Sequence, residues 1–120
     1  SWLEEAERLP MPAPSVVVHG DLHIRHVLID DRRAIAGVID WGDLAVSDPS
    51  LDLSLGWALF PPDVREEFLS AYGEVDQETR LRARVLALFL CAALAISAFH
   101  RGPRSVLEAA VRGLTIAAQP

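Results

Sequence analysis

Asp21, His26 and Asp40 are residues whose types and spacing suit the transfer of a phosphoryl group. The apolar run Val16-Val17-Val18 leads into His19-Gly20-Asp21, His26 follows five residues after Asp21, and Asp40 closes the next apolar run. In that chemistry a carboxylate orients the acceptor hydroxyl and takes its proton, while oxygen ligands hold a magnesium ion against the phosphate charge. Asp21, after a strand and a glycine, is expected to be the catalytic base. A weak base suffices there, because the hydroxyl becomes strongly acidic only as its bond to phosphorus forms. Asp40 ends an apolar strand with Trp41 behind it and is expected to bind the metal, whereas Asp43 reads as a loop residue. His26 is softer than the oxygen donors magnesium prefers. Its expected place beside Asp40 nevertheless makes it the second candidate for metal and cofactor contact.

The supporting residues follow from similar reasoning. His19 is expected to brace the loop through a hydrogen bond, and His23 is a loop residue with no assigned role. Asp48 and Asp52 stand four apart at the start of a helix, on one face and near its positive end. Capping accounts for Asp48. A carboxylate inside an apolar helix is costly without partners, so Asp52 is expected to accept hydrogen bonds from the backbone of loop 19–26.

The elements that must position these groups can be placed by pattern. A helix over Trp2 to Leu9 is broken by Pro10, Pro12 and Pro14, which make an extended connector. Ser15 to His19 reads as a strand. Val27 to Ile29 and Ile35 to Ile39 flank the turn Asp30-Asp31-Arg32-Arg33 and predict a hairpin of open turn type. Its register sets residues 25 and 26 opposite residue 40, with cross-strand Cα atoms about 4.5–5.5 Å apart. Asp48-Pro49 predicts the start of a helix to about Phe60. Asp63 to Glu66 resembles a capping box opening a helix that ends at Gly73. Asp76 is expected to cap a long helix over Gln77 to His100, and Gly102-Pro103 separates it from a last helix over Arg104 to Ala117. The expected fold class is therefore α+β, with short strands and a hairpin followed by about four helices.

Composition narrows the function. At 120 residues, 51% of them hydrophobic and three of them tryptophan, the chain is one ordered domain. A net charge of −6 argues against nucleic acid as a partner. The single cysteine, Cys91, allows no internal disulfide and fits a reducing, cytoplasmic location. The apolar run Val85 to Phe99 falls short of the roughly 20 residues that span a bilayer, so it reads as a core helix and no membrane partner is expected. The only methionine is Met11, and the chain opens in what reads as the tail of a helix. Such a start is expected of a piece of a longer protein or of a tag remnant.

Three motifs together, HGDxxxxH at 19–26, IDW at 39–41 and SDPSLDL at 47–53, resemble the aminoglycoside phosphotransferase-like family of small-molecule kinases, which shares the protein-kinase-like fold. The resemblance is close over residues 16 to 53 and loose beyond. It implies that Asp21 is the catalytic base and that His26 and Asp40 hold Mg²⁺, with ATP or GTP as co-substrate. Most members carry Asn at the position of His26, and the histidine is similar to the macrolide phosphotransferase branch. Ile24 and Arg25 replace the usual Pro-Gly. The resemblance also implies that residues 1–120 are the C-terminal catalytic lobe only, because no lysine-bearing strand region precedes residue 15. Alone, the chain is not expected to turn over. The implied partners are a nucleotide and a small-molecule hydroxyl acceptor, with an aminoglycoside or macrolide antibiotic as the class. Helices 63–73, 77–100 and 104–117 are expected to wall the acceptor site. Two rival readings remain at this stage. One is a truncated or degenerate kinase-like domain that only binds. The other is a zinc-dependent hydrolase built on HxDxHxxH and Asp40.

Overall fold

Two short antiparallel ribbons and five α-helices make up the computed structural model, which describes residues 1–120. Helix α1, Trp2–Glu7, stops before the proline-punctuated connector, whose imides offer no N–H to continue it. Strand β1, Val16–Val18, pairs with β4, Ala45–Ser47, in the register Val16↔Ser47 and Val18↔Ala45. The sequence reading missed β4. Three residues with one β-branched member carry no alternation, and the partner strand alone makes the segment extended.

The second ribbon is the expected hairpin. Strand β2, Val27–Ile29, pairs with β3, Ile35–Val38, as Val27↔Val38 and Leu28↔Gly37. Its turn is built by Asp30, whose Oδ1 accepts the N–H groups of Arg32 at 2.8 Å and Ala34 at 3.0 Å. The Asp30 carbonyl accepts from the Arg33 N–H at 3.0 Å, and Arg33 takes the left-handed conformation with φ 61°. A side-chain-built turn thus replaces the Asn-Gly signal that the sequence lacks.

The helices arise from capping and packing. Helix α2, Ser50–Leu59, begins one residue later than expected, after Pro49. Asp48 still does the work of a cap, its Oδ1 accepting the Ser50 N–H at 2.8 Å and the Ser50 hydroxyl. For helix α3, Pro62–Tyr72, the expected capping box at Asp63 does not form, and no side chain caps it. The two prolines set the helical entry themselves, with Pro62 at a position that needs no donor, and Asp63 falls inside the first turn. Helix α4, Gln77–Arg101, opens on Asp76, which accepts the Thr79 N–H at 2.7 Å. That backbone bond holds the Asp76 carboxyl below the ordinary carboxylate range. Helix α5, Arg104–Ala118, follows Gly102-Pro103.

Helix α4 packs against both α2 and α5. The seam is lined by small residues, Ala83, Ala87 and Cys91 on α4 and Ala110, Gly113 and Ala117 on α5, and Leu53, Trp57 and Leu69 fill the core beside it. Burial raises the Cys91 thiol pKa, in keeping with an inert packing residue. Helix α4 is long enough, and an 18-residue stretch of it apolar enough, to cross a membrane, which the shorter count from Val85 to Phe99 concealed. Here it is the central helix of the α-helical layer.

At Gly113 a Cβ would stand 2.6 Å from Cys91 Sγ and 2.8 Å from the Ala58 carbonyl oxygen. Replacing glycine within a helix gains less than about 1 kcal/mol in propensity, whereas forcing atoms into a packed seam costs about 1–3 kcal/mol. Valine gains least and crowds most. Gly113→Val is therefore expected to destabilise the fold by about 2 kcal/mol, read from the denaturant midpoint. An unchanged midpoint would show that α5 can retreat from α2 without penalty.

Candidate active site

The loop between β1 and β2 is held from three sides. From below, Asp52 on α2 accepts the His19 N–H on Oδ2 at 2.7 Å and the Gly20 N–H on Oδ1 at 3.1 Å. This is the contact expected of a carboxylate inside an apolar helix, and both of its oxygens are used. Asp48 makes no such contact; its side-chain bonds go to Ser50 at the head of α2. The role foreseen for it beside the site therefore reduces to capping.

His19 ties the loop to the second ribbon. It is 3% exposed, and its Nδ1 accepts the Asp21 N–H at 3.1 Å. The ring proton therefore sits on Nε2, which donates to the Ile39 carbonyl at 2.8 Å. Trp41 covers the ring at a centroid distance of 4.6 Å. Gly20 is required between these anchors. Its φ is +90°, and a Cβ there would collide with the Asp43 carbonyl.

A single turn of 3₁₀ helix, Ile24–His26, brings the chain back to β2 and packs against α2 and α5. It places His26 between two acceptors. His26 Nδ1 lies 2.8 Å from the Asp21 carbonyl oxygen, and its Nε2 lies 3.3 Å from Asp40 Oδ2. A carbonyl can only accept, so Nδ1 carries the proton, and in the neutral ring the Nε2 lone pair faces the Asp40 carboxylate. A lone pair opposite a carboxylate oxygen calls for something positive between them, either a proton or a metal ion. The second hydrogen bond that fixes the tautomer is the usual support for a metal-ligating histidine. Asp40 is held with φ 61°, a conformation uncommon for residues other than glycine, and its side chain is 61% exposed at the open end of the ribbon. The donor set of one imidazole nitrogen and one carboxylate, with room for waters, fits a divalent cation.

The Asp21 carboxylate is 37% exposed and faces the same opening. Its Oδ1 lies 3.4 Å from His23 Nε2, and its Oδ2 lies 3.7 Å from His26 Nδ1. Burial lowers the His23 imidazole pKa, and repulsion from His26 adds to the effect. His23 is thus the residue that the sequence reading left without a role, and only its position two after Asp21 could have pointed to it.

Potential ligand atoms of Asp21, His23 and His26 all lie within 4.8 Å of one another. Both nitrogens of His19 are engaged, which removes it from a zinc centre on HxDxHxxH, whereas in His23 and His26 only Nδ1 is engaged, with the Arg25 N–H at 3.3 Å and the Asp21 carbonyl.

Residues 1–88 match the model of a family described as the phosphotransferase enzyme family. The chain is 32% identical over 75 residues to an aminoglycoside 3'-phosphotransferase of Escherichia coli, covering 60% of this chain and 27% of that protein. It is 34% identical over 71 residues to the viomycin phosphotransferase of Streptomyces vinaceus, covering 57% of this chain and 25% of that protein. It is 35% identical over 63 residues to the uncharacterized protein YcbJ of Bacillus subtilis, covering 52% and 21%. The matched stretch thus spans between a fifth and just over a quarter of each relative's length.

Proposed function

The chain belongs to the phosphotransferase enzyme family, and from that premise we propose that it is the C-terminal catalytic lobe of a kinase acting on a small-molecule hydroxyl. The observation that carries this reading is the convergence of Asp21, His26 and Asp40 on one opening, with Asp52 clamping the loop between them. In the reaction, Asp21 accepts a hydrogen bond from the acceptor hydroxyl. The oxygen–hydrogen bond breaks as the new oxygen–phosphorus bond forms, the proton passes to the Asp21 carboxylate, and a nucleoside diphosphate leaves. His26 through Nε2 and Asp40 through its carboxylate would hold Mg²⁺, which when bound offsets the charge of the nucleotide phosphates.

The nucleotide, ATP or GTP, would be gripped from the other side by a lobe outside these 120 residues. The β region supports this. Val17, Leu28, Ile29, Ile35 and Val46 are all exposed on its two ribbons, and isolated two-stranded ribbons hold poorly in water without cover. The relatives' names point to an aminoglycoside or a related antibiotic as acceptor, and a net charge of −6 favours a cationic one. A nucleotide-dependent reaction and an unpaired, buried Cys91 are consistent with work in the cytoplasm.

The test is to supply ATP or GTP and Mg²⁺ to the two-lobed protein with a panel of aminoglycosides, viomycin and macrolides, and to follow addition of one phosphate by mass spectrometry. Nucleotide binding with no acceptor modified would favour the binding-only reading. Within this assignment, Asp40→Ala is expected to weaken Mg²⁺-dependent nucleotide binding by about tenfold or more by calorimetry, since even groups behind the ligands typically cost that much. Asp43→Ala should change it little, because it is the Asp40 carboxylate, and not that of Asp43, that lies beside His26 Nε2. Equal losses from the two substitutions would remove Asp40 from the metal site.

A further inference from the structure

We propose that His23 is the positioning residue for the Asp21 carboxylate, donating from Nε2 to Oδ1 so that Oδ2 is left to face the acceptor hydroxyl. The proposal rests on the reading of Asp21 as the base. It is carried by the protonation pattern of the loop. His23 Nδ1 accepts the Arg25 N–H at 3.3 Å, so the ring proton is on Nε2, which stands 3.4 Å from Asp21 Oδ1. The other imidazole N–H near the carboxylate, Nδ1 of His26, is already given to the Asp21 carbonyl at 2.8 Å. His23 therefore holds the one side-chain N–H free to fix the carboxylate. At 3.4 Å the two atoms are in contact without a formed hydrogen bond, and contacts of a catalytic group often tighten only when substrate binds.

The His23 ring is itself held in place. It stacks on His26 at a centroid distance of 4.0 Å and is 15% exposed on its side chain. Its Nδ1 caps the 3₁₀ turn Ile24–His26. Capping alone would be served as well or better by Asn or Ser. Only the second nitrogen, on the far side of the ring, reaches the carboxylate. A hydrogen bond to Asp21 makes it a slightly weaker base, so the benefit lies in orientation. The proton is taken late, and a misdirected carboxylate loses more than a weaker one.

The two nitrogens can be tested apart, because Asn reproduces the Nδ1 acceptor and Gln reproduces the Nε2 donor. In the two-lobed enzyme, His23→Asn keeps the cap and loses the donor, and kcat is expected to fall about tenfold or more with the nucleotide KM unchanged, the size of one lost hydrogen bond to a charged group. His23→Gln should recover most of that loss. Wild-type kcat in His23→Asn, or equal impairment of the two variants, would overturn the proposal. A second measurement, on the two-lobed protein, needs no turnover. Long-range ¹H–¹⁵N spectra should show His23 protonated on Nε2, with that resonance shifted by Asp21→Ala. A ring protonated on Nδ1, or one indifferent to Asp21→Ala, would overturn it equally. A wild-type enzyme that transfers no phosphate, with the His23 resonance responding as expected, would sink the functional reading and leave the contact standing.

Discussion

Asp21→Asn is expected to lower kcat by about 100- to 10,000-fold while leaving the nucleotide KM nearly unchanged, the range typical of a positioned general base. The substitution is close to isosteric and removes only the negative charge and the capacity to take a proton. The loop should survive it, because the residue's structural bonds use the main chain. Its N–H goes to His19 Nδ1 at 3.1 Å and its carbonyl accepts from His26 Nδ1 at 2.8 Å. A base acts on the hydroxyl in the transition state and not on the bound nucleotide, so the loss belongs in kcat. Steady-state kinetics of the two-lobed enzyme, with the variant's thermal midpoint as a control on folding, decide the matter. A variant that retains more than about a tenth of wild-type kcat removes Asp21 from the base role.

Asp52→Ala is expected to cost both stability and activity. The carboxylate is the sole side-chain partner of two adjacent backbone donors, the His19 N–H at 2.7 Å and the Gly20 N–H at 3.1 Å. Hydrogen bonds to a charged group contribute about 1.5–3 kcal/mol each, and a buried donor left without a partner carries its full desolvation cost. The expected loss is about 3 kcal/mol in the denaturant midpoint of the chain, larger than for Gly113→Val. The effect should spread beyond stability. Gly20, at φ +90°, lies directly before Asp21, so releasing its N–H frees the backbone that aims the base. Amide hydrogen exchange at His19 and Gly20 should accelerate by more than it does on α4. Unchanged protection at both amides would mean that the loop is held by His19 and its neighbours without help from α2.

The elements legible in the sequence were those that local chemistry specifies. Helices α2, α4 and α5 fall close to their expected bounds because Asp48-Pro49, Asp76 and Gly102-Pro103 act within a turn of where they stand. The hairpin was legible because apolar runs flank a polar turn, and its register at the site end followed from centring that turn, although a register shift between Leu28 and Ile29 interrupts the pairing. The Ile39 N–H bonds to the His26 carbonyl at 2.9 Å, one residue from the pairing of 25 and 26 with residue 40. The clamp by Asp52 could be named in advance because a carboxylate amid apolar residues needs a partner.

What the sequence determined by itself is therefore the local frame, with its caps, breaks, hairpin and the polar residues each element carries. Tertiary structure alone decided the rest. Strand β4 exists because β1 offers it a ladder. The turn before α3 is shaped by proline geometry, where composition had suggested a side-chain box. Asp48 and Asp52 are four residues apart at the head of one helix, yet one caps its own turn and the other reaches across to the loop between β1 and β2. Above all, the identity of the proton on each ring nitrogen of His19, His23 and His26 depends on which carbonyl or N–H lies opposite it. Those partners come from different elements, and no pattern of residue types along one chain encodes which of two nitrogens will meet them.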